Sequence, residues 1–198
     1  MIKKRFFDLF FTIPALILLA PFFLIISICI KLDSQGPVFF RQIRIGQHGN
    51  NFNILKFRTM QFNTEKEDQL TVGADKRITK TGKWLRHYKL DELPQLFNVL
   101  KGEMSIVGPR PEVPRYIKLY PKQSRKLILS VLPGITDLAS IEFKNENEIL
   151  GHSINPEKTY IEKILPKKIK YYEKYVIKHS LLMDLKIMFY TLVAIFSK

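Results

Sequence analysis

The sequence predicts an α+β protein, mostly helical, with an apolar N-terminal helix, one small β-hairpin and amphipathic helices suited to an interface. Three observations carry this reading. Residues 6–30, FFDLFFTIPALILLAPFFLIISICI, hold a single charge, Asp8, over 25 positions. Residues 37–60, PVFFRQIRIGQHGNNFNILKFRTM, set two β-rich runs on either side of a Gly/Asn turn. Toward the C-terminus apolar residues return every three or four positions, the period of a helix with one buried face. At 198 residues the chain has room for one domain with a real core plus an appendage. The composition shift after Lys31 divides it into a membrane helix, residues 1–32, and a domain, residues 33–198.

The apolar run has membrane length, since a straight span takes about 20 apolar residues. It exceeds the apolar core of a signal peptide and no small-residue cleavage site follows it, so it is expected to stay in the mature protein. Lys3, Lys4 and Arg5 precede the run while Lys31, Arg41 and Arg44 follow it, which draws both ends to the cytoplasm. Pro14 and Pro21 each remove one helical hydrogen bond and favour a bend. Beyond Pro21 a nine-residue leg covers about 13 Å, short of a hydrocarbon core of about 30 Å. Ser27 or Thr12 can bond a backbone carbonyl, and Asp8 can pair with Lys4 or Arg5 one turn earlier. A span cannot place both basic flanks in the cytoplasm, as a helix that enters and returns on one side can; a plain kinked span stays open as the rival reading.

Lys and Arg number 32 against 18 Asp and Glu, a formal charge of +14, so the natural partners are polyanions: nucleic acid, anionic headgroups or phosphorylated substrates. One cysteine, Cys29, excludes an intrachain disulfide or a Cys-based zinc site. The four histidines lack ligand spacing, and no metal is assigned to them.

In the hairpin the strands mix Arg with Phe and Ile, as a sheet facing headgroups or phosphate would. Residues 63–75 are polar and acidic and read as a loop. KTGKWLRHYK, residues 80–89, reads as a helix with Trp84, Leu85 and Tyr88 on its apolar side. Residues 155–180 read as a helix broken at Pro166, with lysines filling the face opposite Ile161, Ile164, Leu165, Ile169, Tyr172 and Val176. The last stretch, LLMDLKIMFYTLVAIFSK, reads as a helix lying on the membrane surface or buried in the core.

The chemistry concentrates in residues 90–112, LDELPQLFNVLKGEMSIVGPRPE. Asp91 suits a helix N-cap, with Pro94 in the first turn and Gly102 at the stop. A helix N-terminus keeps carboxylates ionised and attracts phosphate. An anion beside a phosphate demands neutralisation, which Arg86 and Arg110 can supply through bidentate hydrogen bonds, with a divalent cation on Asp91 and Glu92. That set fits phosphoryl transfer, with Asp91 as nucleophile or as base and metal ligand. Asp followed by Glu also begins many helices that do no chemistry.

The chain resembles the small monotopic phosphoglycosyl transferases, the bacterial sugar transferase family that starts assembly of polyprenol-linked glycans. The resemblance is carried by KKRFFD and the proline-broken run, GPVFFRQIRIG, LKFRTM, the block from 90 to 112, PGIT at 133–136 and LLMDLKIMF near the end. It implies a two-step reaction at the cytoplasmic face of the bacterial inner membrane. Asp91 would attack the sugar-bearing phosphate of a nucleotide diphosphate sugar, a UDP-sugar, and polyprenol phosphate would then take the sugar phosphate. It also implies Mg2+ at Asp91 and Glu92, Arg86 and Arg110 at the phosphates, and Pro21 as the bend of a re-entrant helix among membrane phospholipids. The oligomeric state, a homo-oligomer included, stays open. Two departures stand out: Ala20 replaces the usual Ser before the proline, and PGIT continues as DLASIEFK without the family's Trp and Arg, leaving Lys144 as a substitute. A membrane-anchored scaffold using the basic surface is the rival reading. A nucleic-acid binder is disfavoured by the apolar leader and the lack of a recognition motif.

Overall fold

The structure, a computed structural model, describes residues 2–62 and 75–196. The expected loop at 63–75 therefore lies outside the described residues except for Asp75.

Helix α1, Ile2–Asp33, is continuous through Pro14 and Pro21 and is long and apolar enough to cross a membrane. Its inward face runs Arg5, Asp8, Thr12, Leu16, Leu19, Phe23, Ile26, Ile30, in steps of three and four, while Phe6, Phe10, Ile13, Ile17, Phe22, Ile25 and Leu32 face outward. Phe23, Ile26 and Ile30 form one core with Phe57 and Leu85, each apolar side chain contributing roughly 1.5–3 kcal/mol on burial. Ser27 Oγ donates to Phe23 O at 2.6 Å, as the sequence suggested, whereas Thr12 Oγ1 is buried with no partner among the described residues.

Strands β1, Phe39–Ile45, and β2, Asn51–Phe57, pair antiparallel from Phe39↔Phe57 to Ile45↔Asn51. The turn takes His48 and Gly49 through positive φ, 59° and 85°. The hairpin is as expected, but Arg44 does not face lipid: its guanidinium donates to Pro111 O at 3.0 Å and lies 3.9 Å from Glu112, inside the fold. A half-buried arginine needs such acceptors, and β1 packs against the chain just after Arg110 to supply them.

Helix α2, Lys80–His87, is capped by Thr79 Oγ1, which accepts from Gly82 N at 3.0 Å. Only Leu85 of its expected apolar side is buried; Trp84 and Tyr88 are half exposed. The face that packs inward is Gly82 and Leu85, because a Cβ at Gly82 would stand 2.1 Å from Thr59 O. A 3-10 turn, Leu90–Glu92, leads to α3, Gln95–Lys101, which ends at Gly102 in the left-handed region. β3, Ser105–Val107, runs parallel to β4, Gly134–Thr136, a pairing the sequence reading did not contain. Between them lie α4, Pro114–Ile117, and α5, Lys122–Ile128.

After β4 come α6, Leu138–Glu142, α7, Glu146–Gly151, and α8, Pro156–Thr159. A π-turn, Tyr160–Ile164, runs directly into α9, Leu165–Lys178, so the expected break at Pro166 is instead a change of helical winding just before the proline, with helical backbone on both sides. The lysines do not all lie outward: Lys168 is buried against Glu146 at 2.5 Å. Helix α10, Leu181–Phe196, buries Asp184 and Ile187 and leaves Leu182, Leu185, Phe189, Leu192 and Val193 exposed.

A buried polar knot joins α1 to β3, α9 and α10. Lys4 Nζ lies 2.9 Å from both Asp8 Oδ1 and Asp184 Oδ2, Ser105 Oγ and Ile106 N donate to Asp8, and Tyr175 OH donates to Asp184 at 2.8 Å. Removing the single cation strands two buried carboxylates. Lys4→Met is expected to lower unfolding free energy in detergent micelles by about 3–5 kcal/mol, against about 0.5 kcal/mol or less for exposed Lys3→Met. Equal losses in denaturant titration would contradict this role.

Candidate active site

The site is built where α2 stops. Lys89 takes a left-handed conformation, φ 58°, and reverses the chain into the turn that carries Asp91 and Glu92. This corrects the reading of Asp91 as an N-cap: it sits within the 3-10 turn, makes no capping bond, and precedes α3 by a full turn. The electrostatics of the two carboxylates therefore come from side chains rather than from the short helix.

Glu92 is held from two sides. Lys56, on β2, donates to its Oε1 at 2.8 Å; Arg110 grips both oxygens, through Nη1 to Oε2 at 3.0 Å and through Nη2 to Oε1. Arg110 is aimed by the Gly-Pro-Arg-Pro corner, which the PGIT strand fixes: Gly108 N donates to Thr136 O at 3.1 Å, Gly134 N to Pro109 O at 2.9 Å, and Arg110 itself to Ile135 O. The two motifs are far apart in sequence and are one construction in space. Burial works against ionisation of Glu92, yet Arg110 and then Lys56 hold its carboxyl well below the usual glutamate range.

Asp91 is the opposite case. Burial, and then the charge of Glu92, push its carboxyl above the usual aspartate range, while Lys56, Arg86 and Lys89 pull it back. Among the described residues no hydrogen bond or ion pair reaches the Asp91 carboxylate. Its lone pairs are left for a ligand.

Arg86 is oriented by Thr59, whose Oγ1 accepts from Nε at 2.8 Å and whose carbonyl accepts from Thr79 N at 3.0 Å. The preceding Arg58 is buried and donates to Ser34 O and Ser34 Oγ, fastening the end of α1 to the same strand end. The structure thus brings together Asp91, Glu92, Arg86 and Arg110 as expected, and adds Lys56 and Thr59. Both lie in the LKFRTM segment, so a signal was present as a motif without an assigned role. Lys144 lies exposed just beyond α6, whose start is capped by buried Asp137.

Among the described residues no group of three or more His, Cys, Asp or Glu could hold a metal by itself. Mg2+ is usually bound by one or two carboxylates together with substrate phosphates. Asp91 offers its full accepting capacity, and Glu92 Oε2, with one donor, retains an open lone pair. The donor set fits Mg2+ bound jointly with a diphosphate.

The site is thus a pair of carboxylates ringed by cations, set on a hairpin and short helices beside a helix long and apolar enough to cross a membrane. The sequence matches the bacterial sugar transferase family over residues 1–198, and the chain belongs to that family. It is 42% identical over 96% of its length to a UDP-glucose:undecaprenyl-phosphate glucose-1-phosphate transferase of Klebsiella pneumoniae. It is 35% identical over 96% to a UDP-N-acetylgalactosamine-undecaprenyl-phosphate N-acetylgalactosaminephosphotransferase of Aeromonas hydrophila. The chain spans only 39% and 42% of those two proteins. It spans 95% of the exopolysaccharide production protein PSS of Rhizobium leguminosarum, at 36% identity over 98% of this chain.

The opposed states of the two carboxyls are testable by carboxyl-carbon NMR titration of Asp91. Glu92→Gln removes a neighbouring negative charge and is expected to lower the Asp91 pKa; Lys56→Met removes a positive one and is expected to raise it. Shifts of the same sign would contradict the described electrostatics.

Proposed function

We propose that this protein is a phosphoglycosyl transferase that moves a sugar 1-phosphate from a nucleotide diphosphate sugar, a UDP-sugar, to polyprenol phosphate. The observation that carries the reading is the pairing of a Glu92 pinned by two cations with a buried Asp91 carboxylate that has no partner among the described residues. In the first step an Asp91 oxygen attacks the sugar-bearing phosphorus. The bond to the bridging oxygen breaks and uridine monophosphate leaves with that electron pair, giving an aspartyl-phosphosugar. In the second step an oxygen of polyprenol phosphate attacks the same phosphorus. The acyl phosphate bond breaks, Asp91 returns as carboxylate, and a polyprenyl diphosphate sugar is released.

Arg86 and Lys89 neutralise the donor phosphates beside Asp91, and Arg110 holds Glu92 while its guanidinium borders the phosphate site. The raised proton affinity of Asp91 makes it a stronger nucleophile once ionised, which suits attack on phosphorus. When bound at Asp91 and Glu92, Mg2+ supplies charge neutralisation for the donor diphosphate.

The proposal places the chain at the cytoplasmic face of the bacterial inner membrane with α1 as a re-entrant helix bent at Pro21. Two observations support this: the first turns of α1, through Lys4, Arg5 and Asp8, and the last, through Ile30 and Asp33, are both bonded to or packed on the same domain. A span would separate those ends by a bilayer. The exposed apolar face of α10 supports its seating at the same surface.

Asp91→Asn is expected to reduce transfer of labelled sugar phosphate to polyprenol phosphate by at least about three orders of magnitude while the far-UV spectrum is unchanged. Retained transfer would overturn the assignment. Protease protection in sealed inverted membrane vesicles is expected to leave both ends of α1 digestible from the cytoplasmic side; protection of one end would make it a span.

A further inference from the structure

The outward face of α2 departs from what its sequence leads one to expect. Trp84 is 51% and Tyr88 45% exposed, although both have the spacing of a core stripe. Their rings meet edge to face at 5.7 Å, and His87 packs on Tyr88 at 4.7 Å, so the aromatics form a cluster of their own. Lys80 and Lys83 share this face, and no acidic side chain occurs from residue 80 to residue 88.

We propose that this face is an anchor for the headgroup layer of an anionic bilayer, with the Trp84 and Tyr88 rings at the level of the ester groups and Lys80 and Lys83 on lipid phosphates. The inference rests on the reading of α1 as a membrane helix. Indole and phenol rings have an apolar body and a polar edge, and they concentrate at this layer. Lysines near an anionic leaflet add to binding, as does the +14 charge of the chain. Position supports the choice of partner. Leu85, the buried residue next to this exposed cluster, packs into one core with Phe23, Ile26 and Ile30 of α1, and Thr81 N donates to Asp33 Oδ2 at 2.7 Å. The helix that carries the aromatic face therefore begins where α1 ends, and the last turns of α1 also expose Ile28 and Leu32. The same helix carries Arg86 and leads through Lys89 to Asp91. An anchor here sets the depth of the catalytic carboxylate relative to lipid phosphates.

Trp84 is the single tryptophan of the chain, so its emission reports on this face alone. The experiment uses the full-length protein in phosphatidylcholine vesicles with and without phosphatidylglycerol, some carrying lipids brominated close to the headgroup. The expected result is blue-shifted emission, largely quenched by the shallow bromines and little by aqueous acrylamide, with stronger lipid quenching in the anionic vesicles. A Lys80→Gln, Lys83→Gln double variant is expected to lose that anionic increment. Water-like emission quenched by acrylamide and untouched by bromolipid, in protein that floats with the vesicles, would overturn the anchor while leaving the membrane reading intact. Quenching by a nucleotide sugar in place of lipid would instead make the face a base-stacking surface. Asp91→Asn protein is expected to give the same spectra, which separates this test from the catalytic one.

Discussion

The clamp of Glu92 between the Lys56 ammonium and the Arg110 guanidinium is the interaction on which the site depends. Its three members come from β2, from the turn after α2 and from the Gly-Pro-Arg-Pro corner, so forming it fixes the relative placement of segments that share no local structure. It also settles the division between neighbouring carboxylates. Glu92 takes up the two cations, which hold its carboxyl well below the usual glutamate range, while Asp91, one residue earlier, is buried beside that negative charge and has no donor among the described residues. Pairs of titratable groups driven in opposite directions by their surroundings are a usual mark of divided chemical roles.

A second chain of contacts relates this centre to the apolar helix. Arg58 gathers the oxygens at the end of α1; Thr59, the next residue, orients Arg86; and Arg86 is among the charges felt by Asp91. At the other end of α1 the Lys4 knot fastens the helix to β3 and α10. The helix is therefore continuous with the packing of the domain, and the carboxylate at position 91 has a defined position relative to α1.

Much of this fold can be read from local pattern. The hairpin turn and the stop at Gly102 follow from the conformational limits of Gly and appear where the sequence places them, while at Pro166 the expected break is only a π-turn in a helix that continues. What local pattern misreads is also informative. Asp91 looks like an N-cap because Pro94 and Gly102 frame a helix, but the left-handed Lys89 inserts a tight turn before it. Trp84 and Tyr88 look like core because spacing alone cannot tell an aromatic stripe that packs inward from one left exposed. The β3–β4 pairing and the role of Lys56 depend on contacts between distant segments, and no short window contains them. The candidate catalytic residues were readable as a motif; the electrostatics that distinguish them were not.

The central claim is that Asp91 is the atom donor to phosphorus because Glu92 is occupied. Mass spectrometry of the protein after incubation with a UDP-sugar and Mg2+, with no polyprenol phosphate present, tests it most directly. The account predicts one sugar phosphate per chain on the peptide bearing Asp91, discharged on adding polyprenol phosphate. An unmodified Asp91 peptide alongside nucleotide release that requires the acceptor, or an adduct on Glu92, would contradict it.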